Sequence, residues 1–169
     1  CKANNLTMRV IDSILEMWKI AQVSKQPLGF VPTMGAFHKG HMKLIEKARE
    51  DNATLAVGLF VNPSQFAVNE DFYDYPKDTE RDLELLSKKN IDIVFAPLSS
   101  EIYPDGFNTW VDMGEMGTRL EGKYRPGHLR GVATVVLKLL NIVQPRRIYF
   151  GQKDGQQVII VKKMINDFN

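Results

Sequence analysis

Residues 28–32, 55–61, 91–96 and 147–150 are runs of strand length that stay largely apolar instead of alternating with polar residues. A strand of that kind has to be buried on both faces. Between them lie stretches with helical periodicity. Ile11, Ile14, Leu15, Trp18 and Ala21 recur at helical spacing, with Asp12 and Ser13 near the start and an end close to Gln26 and Pro27. Leu44, Ile45 and Ala48 mark a second helix, running to about Asn52, and Leu83, Leu85 and Leu86 face inward on a third over 78–89. Apolar helices follow over 132–143 and 156–168. Buried strands separated by helices imply an α/β fold: a doubly wound parallel sheet with helices on both faces. Such sheets bind ligands beyond the carboxyl ends of their strands, here just after Val31, Val61, Ala96 and Phe150. Residues 62–76 read as a loop or lid. Residues 97–127, rich in Pro and Gly, read as irregular, with a small strand over 108–113.

Composition narrows the class. With 169 residues, 44% hydrophobic and 25% charged, the chain is one ordinary folded domain. Lys plus Arg number 22 against 20 for Asp plus Glu, a balance that favours neither a nucleic-acid nor a membrane partner. The distribution is uneven: residues 1–118 carry 12 basic and 17 acidic side chains, residues 119–169 carry 10 and 3. The last third suits an anion, or the asymmetry is the ordinary fluctuation of mixed charge along a small protein. A single cysteine, Cys1, excludes an internal disulfide framework, and no apolar run approaches the roughly 20 residues that cross a bilayer. A reducing cytoplasm is the expected setting.

The unusual residues cluster where the fold predicts a ligand. PTMGAFHKGH (32–41) follows the first of these strands, and a helix opens near His38. His38 and His41, three apart, share one side of its first turn, beside unpaired N–H groups and the positive end of the helix dipole. That is an anion site with two more donors, although two such histidines can also ligate a metal or cap the helix. FVNPSQF (60–66) offers the uncharged amides of Asn62 and Gln65 between Phe60 and Phe66, suited to a hydroxylated substrate or to a buried Asn-Pro turn. FGQKDGQQ (150–157) brings Lys153 for phosphate, Asp154 for ribose hydroxyls and Gly151 for close backbone approach, with Gln156 and Gln157 starting a helix, or else a solvated Lys-Asp pair at a helix cap. In YRPGHLRG (124–131), Arg125, His128 and Arg130 serve an anion or brace the fold. All three histidines fall inside these segments, which favours one shared pocket.

These four motifs, in this order and spacing, resemble the pantoate-beta-alanine ligase (pantothenate synthetase) family, and the resemblance runs from about Val31 onward. It implies a Rossmann-like fold of the HxGH nucleotidyltransferase superfamily and an ATP- and Mg²⁺-dependent ligation of (R)-pantoate to beta-alanine through a pantoyl-adenylate. It implies that His38 and His41 hold the phosphates, with His41 as proton donor to the departing pyrophosphate, and that Lys153 neutralises phosphate charge. Met34, Gly35, Ala36, Phe37, His38, Lys39, Gly40 and His41, with Gly151, Gln152, Lys153 and Asp154, become the ATP contacts. Gln65 and Gln157 bind pantoate, supported by Asn62 and flanked by Pro32 and Met34, and Gln65 also lies near beta-alanine. Tyr75 and Pro76 match a family segment over the pantoate pocket.

By the same resemblance the partners are small molecules and a second copy in a homodimer, without nucleic acid or membrane. Family members continue with a serine-rich MSSR-type phosphate loop and a C-terminal domain that closes over the site. Residues 1–169 accordingly read as the N-terminal nucleotide- and pantoate-binding domain, weakly active alone. Leu129, where the family often has an aromatic, and Gly155, where it often has Ala or Tyr, depart little from the pattern.

Overall fold

Strands apolar on both faces need cover on both, and the computed structural model, which describes residues 8–66 and 78–168, provides it. Among those residues β1 (Arg9–Ile11), β2 (Leu28–Thr33), β3 (Thr54–Leu59), β4 (Ile93–Phe95) and β5 (Arg147–Ile148) form one sheet, every pairing parallel, in the order β1-β4-β3-β2-β5. One face is covered by α1 (Ile14–Val23), α6 (His128–Val143) and α7 (Gly155–Phe168), whose Met17, Val136 and Ile160 pack with Phe30, Ala56 and Phe95. The other face carries α2 (Lys39–Asp51) and α3 (Thr79–Ser87), with Ile45 and Leu86 against Val31, Leu55 and Val57. Neighbouring residues of one strand thus feed opposite cores, as the two-residue strand period requires. Short helices α4 (Ser99–Ile102) and α5 (Glu121–Tyr124) punctuate the connection from β4 to α6.

The chain winds from β2 through β3 to β4 on one side, then returns to place β5 on the other edge of β2. The direction of winding reverses between β2 and β5. A crevice opens at such a reversal because the loops leaving the two strands depart to opposite sides.

The structure departs from the sequence expectations in several places. β4 and β5 are shorter than the runs 91–96 and 147–150, and the helix expected over 132–143 starts at His128. Ile11 belongs to β1, paired with Phe95, and not to the first helix, which starts at Ile14 behind the Ser13 cap. On that helix Met17, Ile20 and Ala21 are buried, while Leu15 and Trp18 are 57% and 43% exposed. Ile14 and Ala21 of the expected set do face the core, so the inner stripe is shifted and not replaced, with Met17 and Ile20 in place of Leu15 and Trp18. β3 ends at Leu59 instead of Val61, although Phe60 still donates to Thr33 O at 3.0 Å. Residues 108–113 form no strand; Val111 N–H is satisfied by Thr134 Oγ1 of α6 at 3.0 Å, which leaves no ladder to build. Tyr75 and Pro76 lie outside the described residues.

Helix α6 meets the 3₁₀ turn at Pro63–Gln65 through Gly131, where an added Cβ would stand 2.2 Å from Ser64 O and 2.9 Å from Gln65 Cα. Backbone cannot yield there as a flexible side chain can. Gly131→Ala is therefore expected to destabilise the fold by about 1–3 kcal/mol, as overpacking does. Urea denaturation of the two proteins measures it.

Candidate active site

β2 runs out at Thr33, whose Oγ1 donates to Gly58 O at 2.7 Å and accepts Gly35 N–H at 3.4 Å. The next turn needs left-handed backbone, with Gly35 at φ +85° and Ala36 at +53°. It delivers His38 to the N-cap of α2, where Nδ1 accepts Gly40 N–H at 3.0 Å. His41 Nδ1 in turn accepts His38 N–H at 3.5 Å, and the two rings stack with centroids 4.1 Å apart. With both Nδ1 atoms accepting, the proton of each neutral ring sits on Nε2. Burial, then the neighbouring His38, holds His41 below the usual histidine range; Asp82 and Asp154 oppose that shift, and Lys153 adds to it.

The turn after β3 is a self-contained amide network. Asn62 is 1% exposed and fully committed: Nδ2 donates to Gln65 Oε1 (3.1 Å) and Gly131 O (3.3 Å), and Oδ1 accepts Ser64 N–H (3.3 Å) and Tyr103 O–H (2.8 Å), with Ser64 Oγ 2.9 Å from both Oδ1 and the Tyr103 oxygen and its one proton shared between them. Burial pushes the Tyr103 phenol up against the opposing Ser64 hydrogen bond, so it stays a donor. Gln65 Nε2 is left pointing at Met34 S, 3.2 Å away. His128, 8% exposed, braces the same residue: its Nδ1 lies 2.7 Å from Gln65 O and its Nε2 3.1 Å from Arg125 Nη1. Since a guanidinium only donates, Nε2 accepts and Nδ1 carries the proton to Gln65 O.

These loops enclose one cavity of about 940 Å³ at the crevice between β2 and β5. Of the residues expected at the site, Pro32, Met34, Gly35, Ala36, His38, Gly40, His41, Asn62, Gln65, Gly151, Gln152, Lys153, Asp154 and Gln157 line it. Phe37 and Lys39 are not among the lining residues; Phe37 packs on the core beneath α2 and meets the His41 ring edge-on, and Lys39 is exposed. Phe60 lines the cavity and Phe66 does not. Gln156 is bound elsewhere, to Glu121 N–H and Arg119 O. Arg125 and Arg130 stand outside the lining, so the YRPGHLRG segment meets the site as a brace.

Sequence reading missed Lys43, Leu44 and Lys47 of α2, which follow the HxGH turn on the cavity side, and the wall of Val132, Val135, Val136 and Leu139 from α6. The i, i+4 spacing of Lys43 and Lys47 was an available signal. It also missed Asp82, which accepts Ala36 N–H at 2.9 Å and Phe37 N–H at 3.2 Å. Among the described residues no group of three His, Cys, Asp or Glu side chains is arranged to hold a metal ion, and no helix is long and apolar enough to cross a membrane.

Residues 7–169 match the model of the family described as Pantoate-beta-alanine ligase. The pantothenate synthetase of Thermotoga petrophila is 48% identical over 165 residues, covering 96% of this chain and 59% of its own. The crystal structure of pantothenate synthetase from Thermus thermophilus superposes with a TM-score of 0.89 at 45% identity, over 95% of this chain and 58% of that one. The pantoate-beta-alanine ligase of Francisella tularensis, complexed with beta-gamma ATP and beta-alanine, gives 0.91 at 42% identity, over 95% and 63%. The chain thus spans about 59% of the length of such a relative.

The electrostatics of the histidine pair yield a direct expectation. Followed by NMR against pH, His41 should take up its proton below the ordinary value of 6.5, and His38→Ala should move that midpoint upward by removing the neighbour that lowers it and part of the burial. A His41 midpoint at or above the ordinary value in the unaltered chain would contradict the geometry.

Proposed function

The chain belongs to the pantoate-beta-alanine ligase family, and on that premise we propose that residues 1–169 are the nucleotide- and pantoate-binding domain of an enzyme joining (R)-pantoate to beta-alanine at the expense of ATP. The observation that carries this is convergence: three motifs, far apart in sequence, line one cavity at the sheet's reversal point, with imidazoles and Lys153 among its lining and amides beside an apolar wall. A triphosphate needs the first set and a small hydroxy acid the second.

A free carboxylate resists an amine because oxide is a poor leaving group, so the acid must be activated first. In the proposed reaction a pantoate carboxylate oxygen attacks the α-phosphorus of ATP, and the bond from that phosphorus to the pyrophosphate oxygen breaks. The amine of beta-alanine then forms the C–N bond at the acyl carbon, AMP leaves with the C–O bond electrons, and the amine proton passes to solvent. Phosphoryl and nucleotidyl transfer of this kind depends on positioning and charge neutralisation more than on covalent help. His38 and His41 donate to phosphate oxygens through Nε2, His41 protonates the departing pyrophosphate, and Lys153 supplies a point charge. Mg²⁺ enters as part of the substrate, on the phosphates of ATP. Gln65 and Gln157 orient pantoate, with Asn62 holding Gln65 from behind. Family membership is also the ground for proposing a homodimer working in the cytoplasm.

A protonation linkage follows from His41. An anionic triphosphate beside the ring raises its proton affinity, against the burial that lowers it in the free site. MgATP should therefore bind with net proton uptake at neutral pH, and more tightly as pH falls toward the free His41 midpoint. Calorimetry in two buffers of different ionisation enthalpy reads the uptake directly; zero uptake or proton release would remove His41 from the phosphates.

The activity test is pyrophosphate release from MgATP with and without (R)-pantoate. Release that depends on pantoate is the expected result, and Lys153→Ala should slow it about a hundredfold or more, the scale of losing one charge-stabilising donor. Release indifferent to pantoate, or none from a full-length relative assayed in parallel, would overturn the assignment.

A further inference from the structure

α3 faces the sheet with leucines, yet one of its most buried positions is an acid. Asp82 is 3% exposed, whereas Leu83 and Leu85 beside it are only partly buried. Burying a carboxylate is costly unless hydrogen bonds replace its water. Here the replacement comes from a distant segment: Oδ2 accepts Ala36 N–H at 2.9 Å and Oδ1 accepts Phe37 N–H at 3.2 Å. A Cβ placed on Gly35 would stand 2.6 Å from Asp82 Oδ2 and 2.9 Å from Leu59 Cδ1, so the loop lies directly against the acid.

The bonded residues sit where the backbone is least favourable. Ala36 has φ +53° directly after Gly35 at +85°, a left-handed conformation that a side chain with a Cβ adopts only at a cost. Successive N–H groups around left-handed residues form a concave anion cradle of the kind that elsewhere receives a ligand. In this chain the cradle is filled by Asp82, which does not line the cavity. The next residue after Phe37 is His38, the cap of α2, and His41 is stacked on it. Any shift of the cradle therefore moves both imidazoles.

We propose that Asp82 is a positioning residue of the site: its carboxylate, set in the core on α3, holds the left-handed turn at Gly35 and Ala36 and so fixes where His38 and His41 meet a bound nucleotide. This rests on the cavity's being the nucleotide site. Asp82 acts through the backbone and touches no substrate. It has a second, electrostatic effect, because its charge raises the proton affinity of His41 and works with Asp154 against burial, His38 and Lys153; the uncharged Phe37 edge completes that ring's surroundings.

The test compares Asp82→Asn with the unaltered chain by MgATP calorimetry, NMR titration of His41 and thermal melting. Asparagine keeps the size but turns an N–H₂ group toward a backbone N–H. Losing hydrogen bonds to a charged group should weaken MgATP roughly ten- to a hundredfold, and His41 should titrate at lower pH. Adding Ala36→Gly, which makes the left-handed turn easy without the acid, should recover much of the affinity. A variant that melts earlier yet binds MgATP unchanged and leaves His41 unmoved would overturn the proposal, since a purely structural acid would behave that way. If Asp82→Asn does not fold, amide exchange in the unaltered chain decides: protection at Ala36 and Phe37 is expected, and exchange at open-loop rates would overturn it. Absence of MgATP binding by the unaltered chain would instead count against the nucleotide reading, while the His41 titration and amide exchange would still report what Asp82 holds.

Discussion

Everything at this site hangs from the burial of β2. Phe30 and Val31 are fully buried, each in a different core, and the strand is paired on both edges, with β3 and with β5. A strand so confined can neither slide nor twist without opening both cores, since a one-residue slip would turn every side chain to the wrong face. Its carboxyl end, still paired with β3 through Thr33 and Leu59, is held by that confinement. The loops after β2 and β5 leave from that point to opposite sides, and the cavity is the space between them.

Rigidity at the strand is transmitted to the ligand side by hydrogen bonds more than by apolar packing. Thr33 ties the end of β2 to Gly58 of β3; Asp82 ties the following turn to α3; Asn62, Tyr103 and His128 tie the Pro63–Gln65 turn to the chain between β4 and α6. Each is a polar group in an interior that favours apolar ones, and each is satisfied: among the described residues no buried side-chain nitrogen or oxygen lacks a partner. Networks that are complete in this way rigidify, whereas a half-satisfied network would cost more than an apolar substitute. Gly131 belongs to the same design, because the close approach of α6 to Ser64 and Gln65 is what brings Asn62 within reach of the helix backbone.

This division explains what could be read from sequence. The four apolar strand runs and the motifs after them are legible because periodicity and strand-end clustering are local signals, and local signals survive without knowledge of partners. β1 is not, because three residues continuous with a helix carry too little pattern to stand apart. Leu15 and Trp18 share the helical spacing of Ile14 and Ala21 yet face outward, because only the sheet decides which stripe of an apolar helix turns inward. Asp82 looks like one more acid in an exposed helix; its meaning depends on residues 45 and 46 positions earlier in the chain, which no periodicity connects. The segment over 108–113 has the composition of a strand but packs along α6, where Thr134 takes the Val111 N–H, instead of pairing with the sheet.

The completed networks also determine what kind of ligand the cavity favours. Both Nδ1 atoms of His38 and His41 accept backbone N–H groups, and Gln65 Oε1 and its carbonyl accept from Asn62 and His128. Internal bonding therefore consumes acceptors and leaves donors: two Nε2–H groups, the Gln65 amide N–H₂ and the Lys153 ammonium. Asp154, an exposed carboxylate of the lining, and the side-chain carbonyls of Gln152 and Gln157 remain as acceptors and suit hydroxyls. A cavity that presents donors, at the positive end of α2, selects oxygen-rich anions and repels a cationic amine. Phosphates and a carboxylate meet that requirement together. The ammonium group of an amino acid does not meet it until its proton is lost, which is in keeping with the proposed reaction, where the acid is activated before the amine attacks.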